Sequence, residues 1–152
     1  LLEALVNQDV TARDGRQTLY VKLIGKSDNQ IWARDIATGW ESVMTGAAPG
    51  FPTTDYEPAW SPDSNYIAWV SQKDGNDEIY LLSRNTNEIR RLTDNKWEWD
   101  KHPSFSPDSK QIVFWSNRDA GNRQIWVMDL EGGNLKNLSN NTYNDWTPIW
   151  VK

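Results

Sequence analysis

Two apolar runs, Ile67-Ala-Trp-Val70 and Ile112-Val-Phe-Trp115, stand out along the chain, and neither alternates with polar residues. A strand with one face in water alternates, whereas a short continuous run bounded by turn residues fits a strand covered on both faces. Each run follows Ser-Pro-Asp-Ser, at 61–64 and at 106–109, where proline presets φ and Asp and Ser favour a tight turn. Ahead of each turn a first strand is expected, at Ala59-Trp-Ser61 and at Ser104-Phe-Ser106. The second strands are Tyr66–Ser71 and Gln111–Ser116, and polar loops follow at 72–77 and 117–123. The pairs Ile79-Tyr80, Ile125-Trp126 and Ile31-Trp32 mark third strands at Glu78–Ser83, Gln124–Asp129 and 30–34. Turns at Asn85-Thr-Asn87, Glu131-Gly-Gly133 and Ala37-Thr-Gly39 lead to fourth strands at 89–93, 135–139 and 41–45. No segment carries a 3.6-residue period, so the chain reads as all-β.

The pattern is a repeat. Glu57-Pro-Ala-Trp-Ser-Pro-Asp-Ser64 aligns with His102-Pro-Ser-Phe-Ser-Pro-Asp-Ser109 at an offset of 45. The series Pro58, Pro103, Pro148 and the series Trp60, Phe105, Trp150 keep that spacing, as do Asp55, Asp100 and Asp145. A four-stranded meander of about 45 residues cannot bury both faces alone, but repetition around an axis lets each sheet cover the next, which is propeller architecture. A twelve-stranded sandwich fits the strict repeat less well. We therefore expect one propeller-type domain over 1–152, with repeats near 8–54, 55–99 and 100–144 and a further first strand at 147–152. The first unit is degenerate: Asp14-Gly15 matches Asp63-Ser64 at an offset of 49, and its first strand, near 8–11, lacks the Pro-x-Trp signature. Three blades are few for a ring, since propellers usually have about four to eight. Either the C-terminal strand completes a blade by exchange, as in a homodimer of two half-rings with six blades, or the chain is cut from a longer propeller in which 2–6 ends a preceding unit.

Composition narrows the function classes. With no cysteine, disulfides and thiolate metal sites are excluded. A net charge of −5 argues against a nucleic-acid footprint. No apolar stretch reaches the length of a membrane span, and residues 1–6 lack the basic leader of a signal peptide. Ten tryptophans in 152 residues are many, because each indole N–H wants a partner. They fit sheets packed face to face, or a ligand surface with stacking platforms.

The stretch Glu-Pro-Ala-Trp-Ser-Pro-Asp-Ser, followed by Ile-Ala-Trp-Val, Asp-Gly-Asn, Glu-Ile-Tyr-Leu and Arg-Arg-Leu-Thr, resembles the TolB-type propeller repeat, and so does the second copy. The resemblance covers roughly residues 18–152. It implies propeller blades and an interaction role, with a periplasmic or extracytoplasmic setting. Similar repeats also precede prolyl-oligopeptidase-like hydrolases and occur in sensory and carbohydrate-active proteins. The family's name-giving protein also has a separate N-terminal α/β domain, which has no counterpart in this sequence.

No hydrolase triad is legible, so no catalytic residue is assigned. His102 is the one histidine and sits where the other copies carry Glu57 and Thr147, which marks a variable loop position. Without further His or Cys no zinc site is expected. Asp55, Asp100 and Asp145 recur in every copy, so we expect them, with Pro58, Pro103 and Pro148, to serve the blade: each carboxylate would accept backbone N–H groups ahead of the first strand. Their alternative role is a carboxylate ring for Ca²⁺ or a basic partner. Asp63, Asp108, Asp74 and Asp119 read as turn residues, and Asp74-Gly-Asn76 lacks the full calcium-loop spacing. The functional lead is aromatic. Up-and-down strands bring the fourth-to-first and second-to-third loops to one rim, which gathers Phe51, Tyr56, Trp97, Trp99, Tyr143 and Trp146. Trp60, Trp69, Trp115, Trp126 and Trp150 are expected to pack between blades. The reading that follows is a non-catalytic module binding a protein or peptide through this rim, without nucleic acid, membrane insertion or a cofactor. A carbohydrate module using the same indoles, or a half-ring that functions only when paired, are the alternatives.

Overall fold

The computed structural model describes residues 10–24, 26, 28–46, 53–119 and 121–151. Every regular element among them is a strand. Gln17–Ile24 (β1), Asp28–Asp35 (β2) and Glu41–Val43 (β3) form one sheet in that order. Asp55–Trp60 (β4), Tyr66–Ser71 (β5), Glu78–Ser83 (β6) and Glu88–Arg91 (β7) form the second. Asp100–Phe105 (β8), Gln111–Ser116 (β9), Gln124–Asp129 (β10) and Lys136–Asn137 (β11) form the third. All pairings within the sheets are antiparallel meanders, so each sheet is one blade.

The unbroken apolar runs are explained by cover on both faces. Ile67, Trp69, Tyr80 and Leu82 of the second blade turn toward the first and pack with Leu19, Ile31 and Ala33. Ala59, Ala68, Ile79 and Leu81 turn the other way and pack with Phe105, Ile112, Phe114 and Met128 of the third. Alternate residues of one strand thus serve two different interfaces. The face of the first blade away from the second is different. There Lys22 and Arg34 pair with Glu41 at 3.2 and 3.3 Å, and the Lys22 ammonium lies 4.0 Å from the Trp32 ring centroid. At the positions of Trp32 and Arg34 the second blade carries Tyr80 and Leu82, both buried.

The first strands are longer than expected. They begin at Asp55 and Asp100 rather than four residues later, and the proline lies inside them. Register shifts between Tyr56 and Ala59, and between Lys101 and Ser104. At each bulge the residue before the proline has positive φ: 53° at Glu57 and 54° at His102. A bulge accepts a proline because no ladder N–H is needed there. Thr147, before Pro148, repeats the conformation at 48°, yet residues 147–151 form no strand, because no described segment pairs with them. Trp150 accordingly is 37 % exposed instead of packed between blades, and Trp126 is half-buried, while Trp60, Trp69 and Trp115 are buried as expected.

The Ser-Pro-Asp-Ser turns are built identically. The Ser61 and Ser106 hydroxyls donate to Asp63 and Asp108 at 2.5 and 2.6 Å and accept the Tyr66 and Gln111 N–H, both at 2.9 Å. The Asp63 N–H also donates to Ser109 Oγ of the next blade at 3.0 Å, tying successive turns together. The fourth strands are shorter than expected for a shared reason. The Ile31, Ile79 and Ile125 N–H groups donate to the hydroxyls of Thr45, Thr93 and Ser139 at 3.0, 2.9 and 3.0 Å, so a side chain replaces the ladder there. The first strand of the degenerate unit survives among described residues as the bridge Thr11–Thr18 and the Val10 carbonyl accepting the Leu19 N–H at 2.7 Å, and residues 8–9 of the expected strand lie outside them.

Candidate functional site

The starts of the first and third strands and the ends of the second and fourth share one end of the blades, because Asp55 pairs with Ser71 and Ser71 with Glu78. That end is held by buried polar groups. Glu78, fully buried, accepts the Asn95 N–H at 3.0 Å and the Thr93 hydroxyl at 2.5 Å, and pairs with Arg91 at 3.1 Å. In the third blade Gln124 does the same work, accepting the Asn141 N–H at 2.9 Å and donating to the Tyr143 carbonyl at 2.7 Å. Glu78 clamps the loop that leads into β8, and Gln124 the matching segment that leads to Trp146. Asn95 passes the network on, donating to Asp100 Oδ2 at 2.7 Å, and the Arg118 guanidinium meets both Asp100 oxygens at 2.9 Å. Two of the recurrent aspartates differ from expectation: among the described residues Asp100 accepts a side-chain amide and a guanidinium, and Asp145 accepts Asn141 Nδ2 at 2.9 Å. Among the described residues no three His, Cys, Asp or Glu side chains gather as they would around a metal ion.

Burial pushes the Glu78 carboxyl above the ordinary carboxylate range, with Asp100 adding to the rise while Thr93, Asn95 and Arg91 oppose it. A raised value in the fold means that the protonated form is favoured. Its stabilisation is complete below the unfolded value of about 4.3 and is lost as pH rises through the folded value. Glu78→Gln copies Gln124 and leaves Arg91 its pair with Asp94 at 2.9 Å. Its urea midpoint should therefore gain on the wild type as pH rises from about 4 to about 7. A wild type that gains on the variant over that range would show the carboxylate to be favoured instead.

On the solvent side of this clamp lies an aromatic and cationic cluster. The second residue of each first-strand segment occupies one repeat position, held by Tyr56, Lys101 and Trp146. Lys101 stands between rings: its ammonium is 5.3 Å from the Tyr56 centroid, 5.4 Å from Trp99 and 6.0 Å from Trp115, and it pairs with buried Asp77 at 2.9 Å. The Tyr56 hydroxyl donates to the same Asp77, and burial together with that carboxylate pushes its pKa well above the ordinary phenol value. Trp146 meets Trp115 edge-on at 6.2 Å, and the Arg123 guanidinium lies 3.7 Å over the Trp146 ring. His102 joins the second and third blades, its N–H donating to Glu57 at 2.9 Å and its Nε2 lying 3.3 Å from the other Glu57 oxygen.

The structure thus brings together Tyr56, Trp99 and Trp146. Trp97 and Tyr143 belong to the same loops but are 83 % and 76 % exposed, with no ring partner among the described residues, and Phe51 lies outside those residues. Sequence reading missed Lys101, Arg123 and Asp77. Lys101 was detectable, since it holds the repeat position of Tyr56 and Trp146. Arg123 and Asp77 end loops of unequal length and carry no repeat signal. Trp115, placed in the core, is buried and also floors the cluster.

The family model for the TolB beta propeller domain matches residues 8–152. A Tol-Pal system protein TolB of Francisella tularensis subsp. mediasiatica is 33 % identical over 85 residues, covering 55 % of this chain and 19 % of that protein. Among solved structures, a putative TolB from Agrobacterium tumefaciens superposes with a TM-score of 0.71 at 26 % identity, over 84 % of this chain and 47 % of that one. Oligogalacturonate lyase superposes with a TM-score of 0.64 at 16 % identity, over 86 % of this chain and 38 % of that one, a likeness of fold alone. The chain spans less than half the length of each of these proteins. With three antiparallel four-stranded or three-stranded blades, shared interblade packing and this match over almost the whole sequence, the chain belongs to the TolB β-propeller family.

Proposed function

We propose that this chain is a non-catalytic interaction module whose aromatic rim binds a protein or peptide. The observation that carries the reading is that Trp99 and Trp146 are 44 % and 55 % exposed and yet held, Trp99 beside the Lys101 ammonium and Trp146 between Arg123 and Trp115. Aromatic anchors dominate binding energy at protein interfaces, and anchors already immobilised lose less entropy on binding. One relative is a Tol-Pal system protein, and a role among other proteins suits such a rim.

Selection from a random peptide library displayed on phage tests the reading. Peptides enriched on the wild type should bind the Trp99→Ala/Trp146→Ala double variant at least about 30-fold more weakly, the equivalent of one hot-spot residue. Trp97→Ala serves as the exposed control and should bind as the wild type does. Failure to enrich any peptide would overturn the reading, as would quenching of tryptophan fluorescence by cellotriose or trigalacturonate, which would move the rim to carbohydrate. A double variant whose urea midpoint collapses would show the indoles to be structural.

A further inference from the structure

We propose that Arg123 is an anion subsite of this rim and takes a carboxylate of an acidic peptide partner; the proposal rests on the peptide-binding reading above. The basic side chains around the aromatic cluster are unequal. Lys101 is bound to Asp77 at 2.9 Å, Arg118 to Asp100 at 2.9 Å, and His102 to Glu57 at 3.3 Å. Arg123 takes part in none of the ion pairs among the described residues. The nearest acid in sequence on the facing loop, Asp145, is engaged by Asn141 Nδ2 at 2.9 Å.

Arg123 is nevertheless fixed in place. Its N–H donates to Asn144 Oδ1 at 2.9 Å, and its carbonyl accepts the Asp145 N–H at 2.8 Å and Gln124 Nε2 at 3.0 Å. These bonds join the loop between β9 and β10 to the segment that carries Trp146. The guanidinium then lies 3.7 Å over the Trp146 ring and 5.2 Å from the Trp115 centroid. A stacked guanidinium uses its face on the indole and keeps its in-plane N–H donors for another group, and their fork matches a carboxylate. Contact with both rings also restricts the rotamers that an exposed arginine would lose on binding.

Charge complementarity chooses the partner. In a chain of net charge −5, a basic partner is attracted by the surface as a whole, but Asp77 and Asp100 beside the aromatic cluster are already joined to cations, and Glu57 accepts the His102 N–H. Glu98 and Asp145, neighbours of Trp99 and Trp146 in sequence, accept the Trp97 N–H and Asn141 Nδ2, whereas the Arg123 guanidinium over the Trp146 ring takes part in no ion pair among the described residues. An acidic side chain next to an apolar or aromatic anchor satisfies both Arg123 and Trp146 at once.

The same phage library decides the matter with two further arms. Peptides enriched on the wild type should be rich in Asp and Glu, and that enrichment should vanish on Arg123→Gln, whose urea midpoint should stay near that of the wild type. One enriched peptide, synthesised, should lose at least about tenfold in affinity against Arg123→Gln, as expected for a charge-assisted hydrogen bond. Changing its acidic residue to the amide should cost as much against the wild type and nothing further against the variant. Enriched peptides without acidic bias, or undiminished affinity for Arg123→Gln, would overturn the subsite while leaving the peptide-binding reading intact. Displacement of the peptide by trigalacturonate but not by cellotriose would assign Arg123 to an acidic sugar and overturn the peptide assignment.

Discussion

Asp100→Ala is expected to lower folding stability by about 3–5 kcal/mol, the cost of breaking a buried ion pair by removing one partner. Both Asp100 oxygens meet the Arg118 guanidinium, and Oδ2 also takes the Asn95 amide, in a position with no solvent exposure. Alanine would leave the guanidinium packed 5.3 Å from the Phe114 ring and 5.1 Å from the Trp126 ring, with the Ser116 hydroxyl at 2.9 Å as its remaining acceptor. It would also free Asn95, whose N–H sits on Glu78, so the clamp on the following loop weakens with the pair. The repeat supplies its own control. Asp145 occupies the same position in the next copy but is half-buried and accepts from Asn141 alone, so Asp145→Ala should cost about 1 kcal/mol or less. Urea unfolding of the two variants measures the difference. Equal costs would mean that the aspartate acts through the backbone of its strand, as the sequence alone suggests, and not through the charges around it.

That contrast shows what a repeat reveals and what it conceals. Periodicity made the blades legible: the apolar runs of β5 and β9, the Ser-Pro-Asp-Ser turns and the apolar-aromatic pairs of β6 and β10 all fall where a four-stranded meander requires them. It also brought the fourth-to-first and second-to-third loops to one end of the blades, because loop positions follow from strand alternation. It misplaced the first strands, since a proline reads as a boundary when the chain absorbs it in a bulge with positive φ at Glu57 and His102. It treated the three aspartates as one structural device, although their partners come from loops that differ between copies: Arg118 serves Asp100, and Asn141 serves Asp145. The positions that distinguish one blade from another, among them Lys101, Arg123 and Asp77, are the ones a repeat alignment averages away. These side chains shape the rim into a particular surface.

Phe114→Ala is the apolar counterpart and should likewise cost about 3–5 kcal/mol. Phe114 is fully buried between the second and third blades, in the cluster that contains Ala59, Ala68, Ile79 and Leu81 on one side and Ile112 and Met128 on the other. The cavity it leaves is walled by strands locked into their own ladders, so little collapse can offset it, which places the cost toward the upper part of that range. The consequence reaches beyond the residue. In a repeat array, stability is close to a sum of unit and interface contributions, and this substitution removes interface. The third blade should then unfold ahead of the rest, seen as a first urea step of tryptophan emission, to which Trp115, Trp126 and Trp146 contribute among the ten tryptophans, ahead of a second step from the other blades. Trp97→Ala, at the exposed rim, should leave both transitions in place to within about 0.5 kcal/mol. If Phe114→Ala instead shifts both transitions together by the full amount, the blades fold as one cooperative unit and the hydrogen bonds between them, Asp63 to Ser109 and His102 to Glu57, hold the interface when its packing is gone. Rim geometry would then survive in the variant, and peptide binding measured below its midpoint would match the wild type.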